Sequence, residues 1–168
     1  FNNSHPVFIK TNNLESAKTI SADHVWTGGS LGLNLSGQNI NAALWDGGTI
    51  LTSHQEFSGR AINSETAELS DHATHVAGTI AAAGIVNNAK GIAHGVNIYA
   101  YKWDDVVTEM TNAISALNIK VANHSWGYAA GWNCHQEAFG GCIEWRWLGD
   151  INVSATEDYR FGYYHQDA

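Results

Sequence analysis

The chain has 168 residues, 44% hydrophobic and 14% charged, with a formal net charge of -8: enough for one domain with its own core. The acidic balance excludes nucleic acid as the main partner, because no excess of Lys and Arg exists to displace phosphate counterions. No apolar run approaches the ~18 residues of a membrane-spanning helix, so no membrane span is expected. The first residue is Phe1 and no basic stretch leads into an apolar one, so any targeting segment is expected to have been removed.

Residues 1–12 read as an irregular lead-in. Apolar residues at helical spacing from Leu14 to Trp26 predict a short helix, which with the lead-in makes up a segment 1–26. The Gly- and Asn-rich stretch 27–38 opens the larger portion, 27–168, as a loop. Ile40–Trp45 predicts a strand that ends in Asp46-Gly47-Gly48. Ser70 or Asp71 is placed to cap a helix running to Ala83, and Gly84 stops it. Val96–Trp103 predicts a second strand, Asp104 and Asp105 begin an amphipathic helix to Leu117, and Val121–Trp126 predicts a third strand. Strands alternating with helices specify an α/β fold, a parallel sheet flanked by helices. Beyond Ala129 the Trp- and Gly-rich sequence yields no clear order of elements.

In such sheets the working groups sit at the carboxyl ends of the strands. Asp46 holds one such end, and two glycines behind it free the backbone to turn. The stretch from Asp71 to Ala82 is the more specific signal, because a helix of Ala, Gly and Thr can be buried nearly all round. His72 falls in its first turn, where the positive helix end disfavours imidazolium and keeps the ring available as a base. His75, one turn further, reads as a buried, hydrogen-bonded structural histidine.

Asp46-Gly47-Gly48 after a strand, followed by His72-Ala73-Thr74-His75-Val76-Ala77-Gly78-Thr79 opening a helix, resembles the subtilisin-like serine proteases. Ser53–Phe57, Gly91–Gly95 and Asn123–Gly127 resemble further segments of that family, in the family's order. The resemblance implies a truncated subtilisin-like three-layer fold and a serine-type endopeptidase acting through an Asp-His-Ser triad. Asp46 would orient His72, and the main chain at Ser125, Trp126 and Gly127 would pair with an extended polypeptide substrate. It also implies a Gly-Thr-Ser segment for the nucleophile and an Ala-Gly-Asn segment for the oxyanion, and neither occurs in these residues. The expectation is an N-terminal piece, inactive alone, whose partner is the remainder of its own catalytic domain. A secreted protein is expected, and no cofactor is needed for the chemistry. Calcium is a common structural ion in the family, and Glu56 stands where an acidic ligand would be expected. Residues 85–89 lack a convincing set of oxygen-bearing side chains, but their backbone carbonyls could still contribute.

Departures and rivals complete the reading. Ala73 stands where the family usually has Gly. The connection after Lys102 is short, which lowers one wall of the expected cleft. Cys134 and Cys142 flank a short Gly-containing loop and could close a local disulfide, remain a free pair, or share a partial metal site with His135. Trp132, Trp145 and Trp147 lie in the same stretch, either shaping substrate binding or packing a long loop. Gly28-Gly29-Ser30-Leu31-Gly32 matches a nucleophile elbow but lacks an apolar strand before it and a helix after it. A zinc site of His72, His75 and His94 lacks the Glu of a His-Glu-x-x-His motif. A non-catalytic, subtilisin-like peptide-binding module is the alternative reading of the whole.

Overall fold

Burial on both faces of one strand organises the fold. In the computed structural model, which describes residues 13–127 together with the backbone of 132–136 and 142–147, Asn41–Asp46 form strand β1. Ala42 through Asp46 are buried, as expected where helices cover both faces of a parallel sheet. Ala61–Asn63 form β2, Asn97–Lys102 form β3 and Ile119–His124 form β4. The four strands are all parallel, in the order β2-β3-β1-β4. Helix α1 covers Asn13–Thr19, α2 covers Asp71–Ala81 and α3 covers Val106–Leu117.

Side-chain alternation along β1 and β3 assigns each face its helix. Ala42, Leu44, Ile98 and Ala100 pack with Ala73, Ala77 and Ala81 of α2. Ala43, Trp45 and Tyr101 pack with Ala113 and Met110 of α3. The crossover before β3 therefore lies on one face and the crossover after it on the other, giving the three α/β/α layers. By the same parity Asp46 follows Ala42 and Leu44 onto the α2 face. Across the other face Tyr101, Trp45 and His124 stack in a row, their ring planes 9° apart at each step, on directly paired positions of β3, β1 and β4.

The expected elements are present with altered limits. The helix expected over Leu14–Trp26 is divided: α1 ends at Thr19, Ser21 adopts a left-handed φ of 61°, and a separate 3-10 turn covers Ala22–Val25. A non-glycine residue at positive φ cannot continue an α-helix, so the apolar spacing spans two pieces. The last parallel strand begins at Ile119 and stops at His124, which leaves Ser125–Gly127 irregular. Strand β2 had no counterpart in the sequence reading, since three residues are too few to show a period. Helix α2 is buried along one stripe only. His75 is exposed, contrary to the buried role expected of it, because it lies off the Ala73/Ala77/Ala81 stripe that meets the sheet.

The chain divides into two units, Phe1–Ser125 and Trp126–Ala168. In the second, β5 (Trp132–Gln136) and β6 (Cys142–Trp147) pair antiparallel, with Cys134 opposite Trp145 and Cys142 opposite Gln136. The side chains of the cysteine pair and of Trp132, Trp145 and Trp147 lie outside the described residues, as does the lead-in 1–12.

Candidate active site

Asp46 ends the central strand of the sheet and His72 begins α2, 26 positions later. The His72 Nδ1 atom lies 2.8 Å from each carboxylate oxygen of Asp46. A carboxylate can only accept, so Nδ1–H donates to it and the ring presents Nε2 on its other side. The carboxylate is 1% exposed and takes a further hydrogen bond from the Gly47 amide, 2.7 Å away. The His72 side chain is 57% exposed. One partner is thus fixed and dehydrated while the other faces outward.

The approach of the two segments is stitched by backbone and hydroxyl groups that sequence reading did not single out. Thr49 N donates to Glu68 O and Ser70 N to Thr49 O, a parallel bridge between the turn after Asp46 and the lead into α2. The buried Thr49 hydroxyl lies within hydrogen-bonding distance of both Ala67 O and Glu68 O. Thr74 Oγ1 accepts from Leu51 N and donates to Ser70 O. Gly48 is required here, since a Cβ on it would lie 2.3 Å from Glu68 O. No motif marks Thr49, and Thr74 is readable only as part of the small-residue helix.

Helix α2 is held at both ends. Of the two caps the sequence offers, Ser70 is the one used, its hydroxyl accepting from Ala73 N at 3.1 Å. At the other end Ile92, Ala93 and Gly91 donate their amides to Thr79 O, Ile80 O and Ala82 O, satisfying carbonyls the helix leaves open. Glu56 completes the anchor. It is buried, and its two carboxylate oxygens accept from the amides of Gly84, Ile85 and Val86 at 2.7, 3.0 and 2.7 Å. Burial works to raise its pKa, yet the three amides, with help from His54, hold it below the ordinary carboxylate value.

Glu56 is also the residue at which the family resemblance places an acidic calcium ligand. Backbone amides converge on its oxygens where a metal site would need further oxygen ligands. Among the described residues no group of three His, Cys, Asp or Glu side chains could hold a metal ion. In this arrangement the Glu56 carboxylate caps the three amides of the loop. The zinc alternative likewise has no cluster: His72 is turned to Asp46, and His94 packs edge-on against Trp26 with centroids 5.4 Å apart. Ser30 is exposed in a loop between the 3-10 turn and β1, with neither strand before it nor helix after it.

Ser125 follows β4, and its hydroxyl donates to Asn123 Oδ1 at 2.7 Å. Trp126 and Gly127 open the second unit. Among the described residues no helix is long and apolar enough to cross a membrane.

A family model described as "Subtilase family" (Peptidase_S8) matches residues 36–157, which include Asp46, His72 and Ser125–Gly127. A comparison with curated proteins finds no match.

Proposed function

The chain belongs to the subtilase family, and from that premise we propose that it carries the orienting acid and the general base of a serine endopeptidase. The observation that carries this reading is the contact of His72 Nδ1 with both oxygens of the buried Asp46. Asp46 holds the imidazole in one tautomer and stabilises the imidazolium formed during reaction. His72 Nε2 takes the proton of a serine hydroxyl as it attacks a peptide carbonyl, and later returns it to the leaving amine. The serine comes from the remainder of the catalytic domain, because no Gly-Thr-Ser segment occurs in the 168 residues. The chain by itself is then inactive. Ser125, Trp126 and Gly127 remain the expected main-chain partners of an extended polypeptide, and an extracellular site of action belongs to the same proposal.

The test uses the full-length protein. It should cleave an unstructured protein substrate and react with a serine-directed phosphonate. His72→Ala should lower kcat by roughly ten-thousand-fold or more, and Asp46→Asn by about ten-thousand-fold. Retention of full rate in His72→Ala would overturn the assignment. Tight peptide binding without turnover in the unmodified protein would instead select the non-catalytic peptide-binding module.

A further inference from the structure

Helix α3 covers only part of its face of the sheet. Ala113 and Met110 pack with Trp45 and Ile119 on the β1–β4 side, whereas Ile62 of β2, paired with Tyr99, stays 38% exposed. Between the helix and the β2–β3 side lies a groove of about 440 Å³, within the size range of small-molecule sites. Ile62, Tyr99 and Tyr101 line it from the sheet, and Ala113, Ala116 and Glu109 line it from the helix. The two alanines leave space that larger side chains would fill. Glu109 gives this mainly apolar groove a fixed carboxylate: its Oε2 accepts from the Trp45 indole at 2.9 Å, and among the described residues nothing else hydrogen-bonds to it. Burial foremost, and then the field of Glu65, Asp105 and Asp104, oppose its charge, while the Trp45 bond supports it. The one cation nearby, the Lys102 ammonium, is paired with Asp104 at 2.6 Å.

We propose that this groove binds an amphipathic organic cation, a small amine whose ring or aliphatic body lies on Ile62, Tyr99 and Tyr101 and whose ammonium meets Glu109. The apolar body is removed from water against the sheet, and the tyrosine rings also attract a cation. The ammonium donates to the free Glu109 oxygen and offsets the field of the neighbouring carboxylates. A neutral ligand forgoes that charge-assisted bond, and an anion meets four carboxylates. Tyr99 and Tyr101 alternate along β3 with Ile98 and Ala100, which face α2. The groove therefore lies on the face opposite Asp46, and the proposal does not depend on the endopeptidase reading.

The probe is tryptamine, which is protonated at neutral pH, compared with the neutral tryptophol and the anionic indole-3-propionate. Binding is measured by isothermal titration calorimetry on the full-length protein after treatment with a serine-directed phosphonate, which keeps the probes out of a catalytic cleft. A protein that does not react with the phosphonate counts against the endopeptidase reading and leaves this test intact. Tryptamine should bind one per chain, about tenfold or more tighter than tryptophol, and indole-3-propionate more weakly still. Glu109→Gln, which still accepts from Trp45, should erase the preference for tryptamine over tryptophol. Ala116→Phe, at an exposed helix position, should weaken both by about tenfold through filling the groove. No saturable binding, equal binding of the three compounds, a preference that survives Glu109→Gln, or tryptamine binding untouched by Ala116→Phe would overturn the proposal. So would a lysine-rich peptide that binds there where tryptamine does not, which would make the groove a protein contact.

Discussion

Glu56 shows how backbone amides make a buried charge tolerable. Three amides from residues 84–86 donate to its two oxygens, and charge-assisted bonds of that kind are stronger than neutral ones. Glu56→Gln would turn an amide NH2 toward these donors and should cost about 2–3 kcal/mol, measured by chemical denaturation at neutral pH. The pH dependence has a definite sign. The folded-state pKa of Glu56 lies below the ordinary 4.5. Its contribution is therefore complete above that value and is lost as pH falls through the lower, folded value. The wild-type advantage over Glu56→Gln should shrink below about pH 4.5. A difference independent of pH would show that packing, not ionisation, holds the loop. Glu109 behaves oppositely: burial foremost raises its pKa, the Trp45 indole bond lowers it, and Glu65, Asp105 and Asp104 add to the rise. Its stabilising share is full below the unfolded value and lost as pH rises through the folded one. Glu109→Gln, which still accepts from Trp45, should raise stability slightly at pH 7, by no more than about 0.5 kcal/mol, and not at all at pH 3.

Among the elements, α2 determines whether the site exists. Its N-terminus is tied to the turn after Asp46 through Thr49, Thr74 and Ser70, and its C-terminus is docked on residues 91–93. The weak place in this arrangement is Gly48. Gly48→Ala should push the Glu68–Ser70 lead away from Thr49, costing about 1–3 kcal/mol and separating Asp46 from His72. Peptidase activity of the full-length protein should therefore fall far more than its folded fraction, read by circular dichroism and kcat together. Unchanged kcat would show that α2 is positioned from its C-terminal end alone. Strand β1 contributes the complementary constraint. With Leu44 and Trp45 packed on opposite faces, a one-residue slip would turn Asp46 away from α2.

At the scale of the whole molecule the sheet is asymmetric. Strand β1 is enclosed between β3 and β4, whereas β4 forms one edge and carries Val121 at 61% exposure. Among the described residues no strand pairs with that edge. Edges with exposed β-branched residues invite association with other chains. The 168-residue chain expressed alone should self-associate as its concentration rises, and Val121→Lys should reduce this in sedimentation velocity. A monomer at all concentrations would show the edge to be protected.

Much of this was legible in the sequence, for reasons that are local. The Asp46 and His72 motifs, the Ser70 cap and the alternation of strands with helices depend on residues near one another in the chain, and composition and periodicity carry them. The meeting of Asp46 with His72 could be expected from family resemblance but not measured. It required β1 to lie at the centre of the sheet and α2 to cover the face that Asp46 shares with Leu44. The clasp of Glu56 on residues 84–86, the Thr49 and Thr74 bridges, strand β2 and the exposure of His75 had no sequence signature. Each is a contact between segments far apart in the chain, specified by burial and by backbone hydrogen bonds that any residue type can make. The sequence by itself determined which groups could do chemistry and on which kind of element they would ride. Only the tertiary structure decided which of them share a face, because that depends on strand order and on which side each crossover takes.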